Sequence, residues 1–430
     1  MFECQRVTLP NGLHVVLTPM ANSSTITTWI MVWGGSRFEE RRKAGISHVM
    51  EHMFFKGGLK YPTALELANL IASVGGKRNA MTGKEDVLYF VKHGSSRGNL
   101  GIDVLADMII NGSFPEEELT KEREVVLEEY EMNYDDPGSN LYQSFPKHLC
   151  YGNHPLGEPI IGTKETILSI TRNDLFEYKN RSYNPNKMVV SVAGNINAGD
   201  FLKEIEDRFG LLAPGPALEW NLFNESQIPS EKVFILPLQK KEQAIIFLVT
   251  PSIGYLHSDY FLLDILTDMI GLGESSRLFQ ELREKNPLVY SISSIFETLR
   301  ETGNVLSNWA TSNKNIEKSL SMVLDVYQKI AERGVDEEEL SRCKSMLIGA
   351  KEMNFESSSY ISHEYGQDEF LFGKVIDFDE YKKIVNAVTT DEILRVARAY
   401  LRPERLKIAM TAQERFCDKD KLLKILEKAR

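Results

Sequence analysis

Strand-type and helix-type hydrophobic patterns alternate along the chain in two runs that a polar stretch separates. In the first run, Thr25–Trp33 is rich in β-branched and aromatic residues, which predicts a strand. Residues 63–74 carry apolar side chains at helical spacing and predict an amphipathic helix. In the second run, residues 244–249 predict a strand and residues 316–333 a long helix. Strands and long helices in both halves indicate a duplicated α+β unit.

The polar stretch at residues 213–230 is the clearest interruption of this pattern. It begins with an Ala-Pro-Gly-Pro run and continues with polar residues, which is typical of a linker. A chain of 430 residues is also too long for one ordinary core. We therefore predict an N-terminal domain over residues 1–212, a linker over 213–230 and a C-terminal domain over 231–430.

Composition and charge narrow the class of protein. The formal net charge of −11 argues against a nucleic-acid partner, because such proteins normally present a basic face. No apolar run is long enough for a membrane span, and the N-terminus lacks the pattern of a signal peptide. We expect a cytoplasmic protein with reduced thiols and no membrane association. The four cysteines are scattered and form no metal-binding or redox motif: Cys4, Cys150, Cys343 and Cys417.

The sequence His48-Val-Met-Glu51-His52 carries the strongest chemical signal. Two histidines four positions apart lie above one another on one helix face, so their ring nitrogens can reach a common point. Glu51 lies at the edge of the same face. This arrangement is the HxxEH metal motif. The alternative interpretation is a pair of surface histidines with a salt-bridging glutamate. The sequence pattern favours the metal motif over this alternative.

A catalytic zinc site needs a third protein ligand and an open position. The glutamate-rich helix predicted over residues 116–131 offers candidates, although most of its acidic side chains suit a solvated face. Glu122 and Glu129 are seven positions apart and share one stripe of that helix, whereas Glu128 points about 100° away. Spacing alone does not choose between Glu122 and Glu129.

Residues 45–52 followed by the glutamate-rich segment resemble the insulinase/pitrilysin family of metallopeptidases. Shorter matches to that family follow in order along nearly the whole chain, at residues 9–13, 75–76, 79–82, 155–157, 162–163, 183–186, 192–195, 275–279, 282–284 and 288–290. The resemblance is greatest to the short-chain dimeric branch that includes the mitochondrial and bacterial processing peptidases. It implies an α+β fold of two homologous α/β-sandwich-like domains, each a mostly antiparallel sheet covered by long helices.

The resemblance also implies a set of site residues. Glu129 is expected to complete the metal site with His48 and His52, with one Zn²⁺ per chain. Glu122 is expected to orient a ligating histidine, since carboxylates around a metal site commonly do so. Glu51 is expected to act as general base in the hydrolysis of a peptide bond by water that the metal activates.

Two further residues with an implied catalytic role lie in the second half of the chain. The family's arginine and tyrosine, seven positions apart, match Arg283 and Tyr290 and are expected to stabilise the oxyanion. From the residues alone, Tyr290 suits a core aromatic on a strand. Arg283 likewise suits a surface ion pair with Glu281 or Glu284.

Peptide substrates are expected to bind by strand addition. The resemblance places the free strand edge at Asn79, Ala80 and Met81, and backbone pairing of this kind favours unfolded or short peptides.

The partner is expected to be a second copy of the chain. Short relatives pair as dimers that enclose a chamber, so we expect a homodimer in which Arg283 and Tyr290 serve the partner's metal site. Two alternatives stay open: one catalytic half of a heterodimeric processing peptidase, and a non-catalytic subunit of an assembly.

Overall fold

The computed structural model describes residues 2–239 and 242–428. Its strands are β1 (Gln5–Thr8), β2 (His14–Pro19), β3 (Thr25–Trp33), β4 (Lys77–Thr82), β5 (Asp86–Gly94), β6 (Met188–Gly194), β7 (Val233–Leu238), β8 (Gln243–Ile253), β9 (Val289–Thr298), β10 (Thr302–Ser312) and β11 (Lys407–Gln413).

The helices in chain order are α1 (Ile46–Phe54), α2 (Ala64–Ser73), α3 (Leu100–Asn111), α4 (Glu116–Asp135), α5 (Pro137–Phe145), α6 (Lys164–Ser169), α7 (Arg172–Ser182), α8 (Ala198–Phe209), α9 (Tyr260–Gly271), α10 (Arg277–Phe279), α11 (Ile316–Arg333), α12 (Glu337–Asn354), α13 (Ser358–Phe372), α14 (Phe378–Ala387), α15 (Thr390–Tyr400) and α16 (Lys419–Lys428). A π-helical turn, Gln280–Lys285, continues α10.

Two compact units form, and neither is continuous in sequence. Described residues of 2–132, 158–221 and 350–378 form unit 1, and those of 133–157, 222–349 and 379–428 form unit 2. Helix α5, from the first half of the chain, therefore belongs to unit 2, and α13, from the second half, belongs to unit 1. The units differ in these exchanged segments from the predicted domains, 1–212 and 231–430, which assumed that each half of the chain folds on itself.

A six-stranded sheet in the order β1-β2-β6-β3-β5-β4 organises unit 1. Every neighbouring pair is antiparallel except β2 and β6. On one face of β3, Ile26 and Ile30 enter the main hydrophobic core. On the other face, the Thr27 hydroxyl shares a hydrogen bond with Ser358 of α13, and Trp33 stacks on Phe370 of the same helix. The sheet is thus covered on both sides.

Unit 2 contains a five-stranded sheet in the order β7-β11-β8-β10-β9. Only β7 and β11 are parallel. If β1 is left out, the strands of unit 1 follow the same order with the parallel pair in the same place, so that β2, β3, β4, β5 and β6 correspond to β7 to β11. This shared topology confirms the predicted α+β fold class and supports the hypothesis of a duplicated unit.

No helix within residues 2–239 and 242–428 is both long enough and apolar enough to cross a bilayer.

Candidate metal centre

Helix α1 carries the HxxEH motif, and its start is fixed by neighbouring groups. Gly45 adopts a left-handed conformation with φ of 91°, and a Cβ on it would lie 2.4 Å from the carbonyl oxygen of Ile161. The Glu39 carboxylate accepts hydrogen bonds from the backbone N–H groups of Gly45 (2.7 Å) and Ser47 (2.8 Å). A carboxylate at this end is also favoured by the helix dipole. These contacts therefore fix the direction and position of α1 at its N-terminal end, next to His48.

The apolar residues of α1 decide where the histidines point. Val49, Met50 and Met53 are fully buried in the core of unit 1. The face that carries His48 and His52 is consequently directed away from this core, and both imidazoles stay partly accessible, with 12% and 21% of their side-chain surface exposed.

The structure brings His48 and His52 together with Glu129 of α4. The Oε2 atom of Glu129 lies 3.6 Å from Nε2 of His48 and 3.7 Å from Nε2 of His52. One ligand atom from each of the three residues lies within 4.8 Å of the others. Zinc bonds of about 2.0–2.1 Å at tetrahedral angles would separate ligand atoms by about 3.3 Å, so the spacing suits such an ion.

Glu122 occupies a different position on the same stripe of α4. Its Oε2 accepts a hydrogen bond from Nδ1 of His52 at 3.1 Å, and its Oε1 pairs with the ammonium group of Lys56. Burial raises the pKa of Glu122, but the hydrogen bonds from His52 and Lys56 outweigh this effect and the net shift is downward. Glu122 is thus held as a carboxylate that fixes the ring orientation of His52.

The two histidines differ in their electrostatic surroundings. Burial, together with the charge on His52, lowers the pKa of His48 to about 4. Burial also lowers the pKa of His52, but Glu122 and the other nearby carboxylates raise it further than burial lowers it. Nδ1 of His48 is buried and has no hydrogen-bond partner in the described part of the chain, so no protein group orients this ring as Glu122 orients His52. A neutral imidazole with a free Nε2 is the form that binds a metal.

Glu51 lies beside the three-residue cluster and contacts strand β4. The hydroxyl of Thr82 donates a hydrogen bond of 2.5 Å to its Oε2. Burial raises the pKa of Glu51, while the hydrogen bond from Thr82 acts in the opposite direction. A carboxylate with a raised pKa and a fixed orientation is suited to accept and return a proton.

The predicted peptide-binding segment lies at an edge of the sheet. Strand β4 is the last strand of the six-stranded order and pairs only with β5 in the described residues. Asn79 and Met81 are exposed, whereas Ala80 between them is buried against the core. The outer edge of β4 therefore offers unpaired backbone groups of the kind that an extended peptide can use.

Arg283 and Tyr290 belong to unit 2, where they are close to each other. The guanidinium carbon of Arg283 lies 5.1 Å from the centre of the Tyr290 ring and 4.8 Å from that of Phe279. Tyr290 is 80% exposed, so it is not a core aromatic. Glu281 pairs with Lys285 and not with Arg283. The interpretation of Tyr290 as a core aromatic is therefore excluded, and so is an ion pair between Arg283 and Glu281.

The sequence patterns did not predict a role for three residues that contact the site: Glu39, Lys56 and Thr82. Lys56 follows His52 by one helical turn, and this spacing was a usable signal. Thr82 and Glu39 reach α1 from other elements, so nothing local to the HxxEH segment indicates them.

Comparison with known families identifies proteins that are similar to this chain. Residues 14–164 match the domain described as Insulinase (Peptidase family M16), and residues 169–347 match the domain described as Peptidase M16 inactive domain. Similar proteins include the uncharacterized zinc protease YmxG of Bacillus subtilis, which is 34% identical over 92% of this chain and 95% of its own length. The uncharacterized zinc protease Rv2782c of Mycobacterium tuberculosis is 32% identical over 92% of this chain and 90% of its own length. The chain belongs to the insulinase family, peptidase family M16.

Solved structures share the fold at lower sequence identity. A protease from Helicobacter pylori superposes with a TM-score of 0.87 at 23% identity, over 96% of this chain and all of its own length. A peptidase M16 inactive domain from Pseudomonas fluorescens gives a TM-score of 0.88 at 19% identity, over 96% of this chain and 98% of its own. These likenesses establish the two-sheet architecture.

Replacing Glu122 with Gln is expected to weaken metal binding by roughly 10–100-fold, because the amide removes the charged partner of His52 and Lys56. Competition with a chromophoric chelator measures this affinity. Glu128→Gln provides the matched control on the exposed side of α4. Equal affinity in both variants would show that Glu122 does not act through His52.

Proposed function

We propose that this chain is a zinc-dependent endopeptidase that hydrolyses unfolded or short peptides. The observation that carries the proposal is the convergence of His48, His52 and Glu129 next to the carboxylate of Glu51. Family membership supports it, and so do the relatives that are named zinc proteases.

The residues fit a zinc ion by number, spacing and chemistry. Two imidazole nitrogens and one carboxylate oxygen are a common ligand set for catalytic zinc, with a further position left for water or substrate. The low pKa of His48 favours the neutral ligand form, and the hydrogen bond from His52 to Glu122 leaves Nε2 of His52 for the metal. When bound, the ion supplies a Lewis acid that makes water nucleophilic near neutral pH and polarises the peptide carbonyl.

Glu51 performs the proton transfers in the proposed reaction. Its carboxylate takes a proton from the attacking water and then delivers that proton to the leaving amine. Thr82 holds Oε2 through its 2.5 Å hydrogen bond, which leaves Oε1 as the atom available for the transfer. Glu122 stays ionised and holds the His52 ring in one orientation during these steps.

Substrate binding is assigned to the outer edge of β4. A peptide that adds to Asn79, Ala80 and Met81 as an extra strand pairs through its backbone, so its sequence is only weakly restricted. The substrate must be extended to do this, which favours unfolded chains over folded domains.

Chelation and substrate folding together test this proposal. We expect the purified chain to cleave an unstructured peptide, to lose that activity in a chelator and to regain it when Zn²⁺ is restored. A stable folded protein that contains the same cleavable segment should be cleaved at least about ten times more slowly, since its segment must first unfold. Equal rates on the folded and unstructured substrates would contradict binding by strand addition.

The active form is proposed to be a homodimer with a peptide chamber and two composite sites. Arg283 and Tyr290 of one chain would donate to the oxyanion at the metal of the partner. Tyr290 is exposed, and Glu281 pairs with Lys285 and not with Arg283. The phenol and guanidinium groups are therefore available as such donors.

Mixed dimers test the composite site. Glu51→Gln and Tyr290→Phe chains should each be nearly inactive alone. After subunit exchange, half of the dimers contain one chain of each kind, and one of the two sites in such a dimer is intact, so about a quarter of wild-type activity should return. Native mass spectrometry confirms the exchange. Proven exchange without recovery would contradict composite sites.

A further inference from the structure

Arg78 is a cation on the strand that carries the proposed substrate edge, and its side chain turns inward. Along β4 the side chains alternate, so Arg78 shares a face with Ala80, which is buried in the core, and with Thr82, which contacts Glu51. Lys77 and Asn79 on either side of it are exposed. The guanidinium group is thus on the side of β4 that faces α1 and the proposed general base.

The contact that Arg78 makes is with an aromatic ring. Its guanidinium carbon lies 4.8 Å from the centre of the Phe55 ring, and Phe55 follows Glu51 by one turn at the end of α1. A guanidinium over a ring is stabilised through the ring face, but this contact uses none of its N–H donors.

Arg78 has no carboxylate partner in the described part of the chain. Its Nη1 is buried and makes no hydrogen bond, and burial lowers the pKa of its guanidinium group. Lys56 and Arg37 differ from Arg78 in this respect, because Lys56 pairs with Glu122 and Arg37 pairs with Glu85. Its Nε and Nη2 are not buried and make no hydrogen bond within the described residues, so they are the donors of Arg78 that a bound carboxylate would reach.

We propose that Arg78 binds a carboxylate of the peptide substrate and makes the enzyme selective for acidic or C-terminal carboxylates near the scissile bond. The inference rests on the proposed function, because it takes the outer edge of β4 as the peptide site. A carboxylate is the ligand because its two oxygens match the planar fork of N–H donors that the ring contact leaves free.

The geometry limits where this carboxylate lies in the substrate. Phe55 is four residues from Glu51, so the stacked guanidinium group is displaced by roughly one helical turn of 5.4 Å or slightly more from the proton-transfer group. An extended peptide advances about 3.3 Å per residue. The selected carboxylate should therefore lie roughly two residues from the reacting carbonyl group.

Binding and cleavage of matched peptides test the proposal separately. One series places Glu or its isostere Gln at each position around a single cleavage site, and a second series compares a free with an amidated C-terminus. Dissociation constants are measured by fluorescence anisotropy in the Glu51→Gln background, and kcat/KM in chains with Glu51 intact. Each measurement is repeated with Arg78→Gln, with Arg78→Lys, and with Lys77→Gln as the exposed control on the same strand.

We expect the carboxylate peptide to bind about 10–100 times more tightly than its amide counterpart at one position, because a hydrogen bond to a charged group is worth about 1.5–3 kcal/mol. Arg78→Gln should abolish this ratio, Arg78→Lys should reduce it, and Lys77→Gln should preserve it. The peptide series that shows the ratio identifies a side-chain or a C-terminal carboxylate. An unchanged ratio in Arg78→Gln, or no ratio at any position in the unsubstituted chain, would overturn the assignment. Failure of the proposed peptidase function would instead appear as no cleavage of any peptide, while the Arg78-dependent binding ratio remained.

Discussion

Replacing Glu51 with Gln is expected to lower kcat for peptide hydrolysis by roughly 10³–10⁴-fold without removing the metal. The amide has nearly the same shape and can still contact Thr82, but it cannot accept a proton from water. Glu51 does not belong to the cluster of His48, His52 and Glu129, so metal content should stay near that of the unsubstituted chain. Single-turnover cleavage of a quenched peptide gives the rate, and elemental analysis of the same sample gives the metal content.

Thr82→Val is an informative companion to this variant. Thr82→Val keeps the Glu51 carboxylate and removes only the hydroxyl that donates to it. We therefore expect a smaller loss of kcat in Thr82→Val than in Glu51→Gln. If Glu51→Gln kept more than about a tenth of the activity, general-base catalysis by this residue would be excluded.

Replacing Glu129 with Gln is expected to reduce metal affinity by about 100-fold or more and to remove activity at limiting metal. The reason is the position of its Oε2, 3.6 Å and 3.7 Å from the Nε2 atoms of the two histidines, where an amide oxygen would be a weaker and uncharged ligand. Chelator competition measures the affinity, and excess Zn²⁺ should restore part of the activity.

Glu128 provides a stringent control for Glu129. It is the adjacent residue on α4, it is exposed, and it points about 100° away around the helix. Glu128→Gln removes the same charge from nearly the same place in the chain, so it should leave metal affinity unchanged. Equal losses in both variants would indicate a general electrostatic effect and would exclude Glu129 as a ligand.

Elements with strong local patterns were predictable from the sequence, and those defined by tertiary packing were not. Strand β3 and helix α11 have the bounds that periodicity predicts. Helix α13 was not predicted, because Ser358, Ser362 and Gly366 interrupt the apolar residues of its buried face. These small residues fit closely against the sheet: a Cβ on Gly366 would lie 2.7 Å from the side chain of Ser191. Such packing depends on partners distant in sequence.

The residues of the candidate site also differ in whether local sequence patterns could predict them. His48, Glu51 and His52 were predictable because they lie on one short helix. The spacing of Glu122 and Glu129 on α4 left them equivalent, and the family resemblance favoured Glu129 as the ligand. The tertiary structure separates them by their contacts, with Glu122 at Nδ1 of His52 and Glu129 near both Nε2 atoms. The inward side chains of β4 depend on how that strand lies beside α1, which a single sequence does not define.

The most direct test of the central claim is mass spectrometry of an unstructured peptide mixture incubated with the purified chain alone. Parallel samples contain a chelator or the Glu51→Gln variant. The proposal predicts cleavage by the unsubstituted chain that both controls abolish, and the cleaved bonds would show the preferred sites directly. No cleavage by zinc-loaded, correctly folded protein would contradict a self-sufficient peptidase and would favour a missing homologous subunit or a role in an assembly.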